Sequence, residues 1–100
     1  VAIRQACAQL GTFRLQGAEL YATSEPCPMC LAAICWARVD RVYFANTKEA
    51  AAAIGFDDSL FYEQLALPVE RRDLPMQHIA SPNAALLFEA WANKRDRTRY

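Results

Sequence analysis

Two cysteines three positions apart, Cys27 and Cys30, close the run Ser24-Glu25-Pro26-Cys27-Pro28-Met29-Cys30. At this spacing both sulfurs can face one tetrahedral metal ion. Pro28 suits the first position of a helix, which puts the pair at a helix start. The partial positive charge and free N–H groups there favour thiolate over thiol. A C-x-x-C pair by itself also fits structural thiols or a redox couple. The flanking Pro26 and the preceding Thr23-Ser24-Glu25 argue against the redox option. The spacing of Cys7 and Cys35 suits core packing. His78 is the only histidine; it lies far beyond Cys30 in an expected strand and reads as a surface or pocket-rim residue.

These residues need elements to hold them. Residues 1–10 have helical character, with Ile3, Cys7 and Leu10 on one apolar face and Gly11 placed to stop the helix. Residues 18–23 read as a short strand, 28–38 as the strongest helix and 39–45 as a strand rich in β-formers. Strand, helix, strand in so short a span is a βαβ unit, which implies parallel strands and a right-handed crossover. Residues 48–54 are alanine-rich and helix-prone, with Gly55 ending them. A polar loop at 56–59 leads to a short helix at 60–65. Residues 67–73 read as a solvated linker and 76–79 as a further short strand. Residues 84–94 form an amphipathic helix with Leu87, Phe88 and Trp91 on one side, and a basic tail runs to Tyr100.

Composition narrows the classes. With 54% hydrophobic and 22% charged residues, the 100-residue chain is a folding sequence. Eleven basic residues balance eleven acidic ones, so no global field points to nucleic acid. No apolar run approaches the roughly 20 residues a membrane span needs. Three of the four cysteines cluster and no secretory pattern is visible, which fits metal or redox use in a reducing compartment, the cytoplasm. The chain begins on Val1, inside an expected helix, which suggests further sequence upstream.

The run Thr23 to Cys30 resembles the P-C-x-x-C half of the zinc-dependent cytidine/deoxycytidylate deaminase superfamily. Three other stretches resemble its bacterial guanine deaminase branch: Ala33 to Arg38, the loop Gly55-Phe56-Asp57-Asp58-Ser59, and the closing Ala92 to Tyr100. The resemblance runs over essentially all residues. It implies an α/β, three-layer cytidine-deaminase-like fold with a mixed sheet and helices on both faces, here N-terminally truncated, so that 1–100 is the C-terminal part of a single deaminase domain. It implies zinc as cofactor, with Cys27 and Cys30 as thiolate ligands. It implies Asp58 as the carboxylate that reads guanine's N–H edge, Tyr100 as a closure of the purine pocket, and Trp36 as an aromatic near the site. It also implies a homodimer that exchanges a C-terminal segment, residues 80–100, so that Tyr100 completes the partner's site. The implied activity is hydrolysis of guanine to xanthine and ammonia, a step of purine metabolism.

One part of the family pattern is absent. The first motif, His-Ala-Glu, supplies the third zinc ligand and the proton-shuttling glutamate, and it is expected just upstream of Val1. No residue of this chain takes either role, so the chain by itself lacks its catalytic group. Other readings stand beside this one. Asp57 and Asp58 fit a solvated turn that caps the helix at Leu60. Lys94, Arg95, Arg97 and Arg99 fit a solvated helix end, or a nucleic-acid contact. Trp36 and Trp91 fit the core. A tRNA-adenosine or cytosine-type deaminase, a non-catalytic zinc or thiol module, and a nucleic-acid-binding protein remain as alternatives.

Overall fold

A computed structural model describes residues 1–100. The chain divides into two compact units, Val1–Leu67 and Pro68–Tyr100.

The first unit opens with α1, Ala2–Leu10, which stops where expected. Gly11 takes the left-handed conformation at φ 63°, and its N–H returns to the Cys7 carbonyl, a helix ending that glycine adopts without a Cβ penalty. Ile3 and Cys7 are half-buried, whereas Leu10 is exposed. Strand β1, Glu19–Ser24, runs into helix α2, Pro28–Trp36, and strand β2, Arg41–Asn46, comes after it. The two strands pair in parallel, with Glu19 opposite Arg41 and Ser24 opposite Asn46. The βαβ unit read from the pattern is therefore present. Tyr21 and Tyr43 stack across the pair with ring centroids 4.9 Å apart, a cross-strand contact of the kind that stabilises a sheet face.

Helix α2 is two residues shorter than expected. Arg38 has a positive φ of 57°. Its N–H bonds the Cys35 carbonyl and the Val39 N–H bonds the Ile34 carbonyl. The helix thus closes through a left-handed residue that is not glycine. Beneath it lies the buried core, formed by Leu15, Ile34 and Ala37. The Leu15 N–H donates to the Ala37 carbonyl at 2.7 Å, which ties the segment after α1 to the end of α2. Cys35 is exposed, not a core residue; only its neighbour Ile34 points inward. Trp36 also departs from the core reading, being 65% exposed at the last turn of α2.

Two short helices complete the unit. Helix α3, Lys48–Ala53, is capped by Thr47, whose hydroxyl accepts from the Ala50 N–H. Helix α4, Ser59–Ala66, comes after the loop at Gly55.

The second unit holds a single 3₁₀ turn at Val69–Arg71 and helix α5, Pro82–Asn93, with Pro82 in its first turn. Residues 76–79 form no strand, contrary to the reading of their short apolar run. The sheet has two strands, β1 and β2, and the segment lacks the ladder that would make it a third. On α5, Leu87 and Phe88 are strongly exposed, and Trp91 is 43% exposed. Near its end Lys94 pairs with Asp96 at 3.9 Å and lies 5.7 Å from the Trp91 ring centroid.

At the level of class the expectation holds: helices together with a small parallel sheet give an α/β fold.

Candidate active site

Cys27 is the N-cap of α2, with an extended backbone at φ −65° and ψ 167°. The free N–H groups of the first turn lie beside such a position, although the Cys27 sulfur makes no capping hydrogen bond. The Cys30 backbone N–H lowers the Cys27 pKa most; a bond from the Cys30 thiol and the Met29 N–H lower it further. Burial and the Asp58 carboxylate act against them. The Cys30 thiol moves the other way, raised first by its bond to Cys27 and then by burial. The two cysteines therefore act on each other at a helix start, the Cys27 thiol lowered and the Cys30 thiol raised. This donor set fits half of a tetrahedral zinc site. No third histidine, cysteine or carboxylate gathers with them to complete a metal site within the chain.

The loop that carries Cys27 is held on several sides. The Glu25 N–H donates to the Asn46 carbonyl at 2.8 Å, and the Asn46 side-chain amide donates to the Thr23 carbonyl at 2.9 Å. These bonds extend the parallel pairing past the strand ends. The Glu25 carboxylate accepts from the Lys48 N–H at 3.0 Å, fastening the start of α3 to the same loop. The Tyr62 hydroxyl donates to the Pro26 carbonyl at 3.0 Å. Burial pushes the Tyr62 phenol up, with the Asp58 and Glu25 carboxylates adding to it, so it stays a donor.

Cys27 opens onto a cleft of about 770 Å³ whose walls come from residues 24–61. Ala50, Ala51, Ile54, Phe56 and Phe61 give it apolar sides, and Ser24, Glu25, Asn46, Asp57 and Asp58 give it polar edges. Gly55, at φ 97°, makes the turn that brings the two aspartates to this wall; L-residues with a Cβ rarely adopt that φ. The adjacent aspartates have different tasks. Asp57 accepts from the Ser59 N–H at 2.9 Å, and this bond lowers its pKa. Asp58 is the N-cap of α4 by position, yet its side chain makes no capping bond. Its carboxylate is half-buried at the cleft and is not used by its own helix.

The structure thus brings Cys27 and Asp58 to one cleft, with Cys30 one turn along α2 from Cys27 and outside the cleft wall. It does not bring Trp36 there; that residue sits at the opposite end of α2 and is absent from the cleft wall. Tyr100 ends the second unit and is 65% exposed. Asn46 and Phe61 were not singled out from sequence. Their only signal there is apolar or turn-forming character, which core and loop residues share.

Comparison with known proteins bears on this geometry. Residues 1–46 match the cytidine and deoxycytidylate deaminase zinc-binding region. The chain is 41% identical over 99 residues to the guanine deaminase of Bacillus subtilis, covering 99% of this chain and 64% of that protein. A crystal structure of guanine deaminase from Bacillus subtilis superposes with a TM-score of 0.88 at 39% identity, over 99% of this chain and 63% of the other. A tRNA-specific adenosine deaminase of the same organism is 57% identical over 42 residues, covering 42% of this chain and 26% of that protein. The chain therefore spans somewhat less than two thirds of the length of the guanine deaminase it matches.

Proposed function

We propose, from the premise that residues 1–46 match the cytidine and deoxycytidylate deaminase zinc-binding region, that the intact protein hydrolyses guanine to xanthine and ammonia. The observation that carries this reading is the shared cleft of Cys27 and Asp58. One end presents Cys27, which with Cys30 would hold the metal. The other presents a carboxylate that its own helix leaves unused.

The chemistry rests on these groups. Zinc, when bound, supplies a Lewis acid that makes water nucleophilic near neutral pH. Cys27 and Cys30 would hold it. Asp58 offers only acceptors, which suits the N–H donors of the guanine edge. Cytosine and adenine present a different donor and acceptor order there. Phe56, Phe61, Ile54 and the two alanines of α3 offer apolar walls against which a flat ring would rest. The proton-shuttling glutamate and a histidine ligand belong to the part of the family pattern this chain does not carry. Tyr100 is assigned to closure of the purine pocket by the same resemblance; Trp36, which it puts near the site, stands away from the cleft wall.

The partner proposed is a second copy of the protein. The exposed Leu87 and Phe88 of α5 support this, since a contiguous exposed apolar face marks an interaction surface. Residues 80–100 are the segment proposed to be exchanged, with Tyr100 serving the partner's site. No helix is long and apolar enough to cross a membrane. All four cysteines are free thiols, which supports a cytoplasmic place for the protein.

The similarity to a tRNA-specific adenosine deaminase supports a second reading, deamination of adenosine in tRNA. One comparison separates the two. Guanine, cytidine and a tRNA substrate are incubated in turn with the zinc-loaded intact protein, and released ammonia is measured. Turnover of guanine alone is expected. Turnover of the tRNA without guanine overturns the proposal in favour of the second reading.

A further inference from the structure

We propose that Tyr62 is a positioning residue of this site, whose hydroxyl fixes the reach between the Asp58 carboxylate and the Cys27 sulfur by holding the Pro26 carbonyl. The proposal rests on the reading of Cys27 as a zinc ligand and Asp58 as the substrate-reading group. Tyr62 belongs to α4 and lies one helical turn beyond Asp58. Its backbone N–H donates to the Asp58 carbonyl at 3.3 Å. Its hydroxyl donates to the Pro26 carbonyl at 3.0 Å, across 36 positions of sequence. One residue thus ties the Asp58 carbonyl, through its backbone N–H, to the carbonyl that precedes Cys27, through its half-buried side chain.

The choice of Pro26 as anchor matters because its carbonyl belongs to the peptide unit that ends at Cys27. That unit is planar and resists twisting, so holding its oxygen orients the Cys27 nitrogen and Cα. Proline has no N–H of its own to anchor the residue from the other side. The phenol ring is itself held in place, with the Lys48 ammonium 4.7 Å from its centroid. The Lys48 N–H is in turn bound by Glu25, immediately before Pro26. Residues of α3, α4 and the cysteine loop therefore converge on this ring, and its hydroxyl reaches the residue before the metal-ligating cysteine. A tyrosine that only packed α4 would have no need to place its hydroxyl there.

The test uses the intact protein and a metal readout independent of turnover. Tyr62→Phe keeps the ring and its cation contact and removes only the donor. Zinc affinity is measured by chelator competition, and the thiolate-to-metal absorption is recorded after cobalt(II) substitution. Zinc binding is expected to weaken about tenfold, equivalent to about 1.4 kcal/mol, with a changed cobalt spectrum and a comparable fall in kcat/KM for guanine. Placing p-aminophenylalanine at position 62 restores a donor at similar reach, and zinc affinity should return to within about twofold of wild type. Unchanged zinc affinity and cobalt spectrum in Tyr62→Phe, with only a lower unfolding midpoint, would overturn the proposal, as would failed rescue by the amine. A wild-type protein that holds zinc but does not turn over guanine overturns the substrate reading alone, because the metal comparison does not involve substrate.

Discussion

Replacing Asp58 by asparagine separates substrate reading from folding. The Asp58 side chain makes no capping bond in α4, so Asp58→Asn removes no intrahelical partner. Stability should change by no more than about 0.5 kcal/mol, the usual range away from such features. Substrate recognition is a different matter. A carboxylate facing two N–H groups of guanine makes two charge-assisted hydrogen bonds, each worth about 1.5–3 kcal/mol. Asparagine keeps one weaker acceptor and turns an N–H toward the other donor, leaving that donor unsatisfied at a cost of about 1–3 kcal/mol. Asp58 is only half-buried before substrate binds, so the low end applies, about 3–4 kcal/mol in all. At about 1.36 kcal/mol per decade, kcat/KM for guanine should fall by about 10²- to 10³-fold. Zinc content, measured by atomic absorption on the same samples, should stay at the wild-type level. Asp57→Asn is the control, since Asp57 is engaged by Ser59 at the same wall; its kcat/KM should stay within about threefold. A kcat/KM for Asp58→Asn within threefold of wild type, with zinc retained, would refute the role given to this carboxylate.

Three other outcomes are expected from the same geometry. Cys27→Ala removes one of the two sulfurs that would hold the metal at the start of α2, so the purified intact protein should lose its zinc. Zinc retained at wild-type stoichiometry would show that Cys27 is not a ligand. Gly55→Ala meets no neighbour within 4 Å of the added Cβ but must sit at φ 97°, so its cost is backbone strain of about 1–3 kcal/mol. A urea midpoint equal to wild type would mean that the turn adapts. The Asp57 carboxyl, lowered by the Ser59 N–H, should titrate below the ordinary 3.8 when tracked by carbon NMR. A depressed folded pKa makes its stabilising contribution fully present above the ordinary value, and that contribution is lost as pH falls through the folded one. A midpoint at or above 3.8 would contradict the turn.

What could be read from sequence was local in its causes. Pro28 at a helix start, Cys27 at its N-cap and Gly11 and Gly55 as stop signals each act within one turn of chain, and each stands where expected. The end of α2 was harder, because Arg38 takes the left-handed conformation without being glycine; the cause is the Val39 N–H bonding back to the Ile34 carbonyl, which residue type does not announce. Residues 76–79 failed for the opposite reason: an apolar run has β character, but a strand exists only where a neighbouring ladder accepts it. The site divides along the same line. Cys27 and Cys30 were legible from spacing, whereas Asp58 needed a family resemblance, since an Asp-Asp pair before a helix is equally a capping turn. In the structure the turn bond belongs to Asp57, through Ser59, and this leaves Asp58 free of a capping role. Tyr62 carried no signal at all, because half-buried tyrosines are common and its partner lies 36 positions away. What sets that contact is the turn at Gly55 and the Asp57 bond together, which fix where α4 begins and therefore which of its residues faces the Pro26 carbonyl.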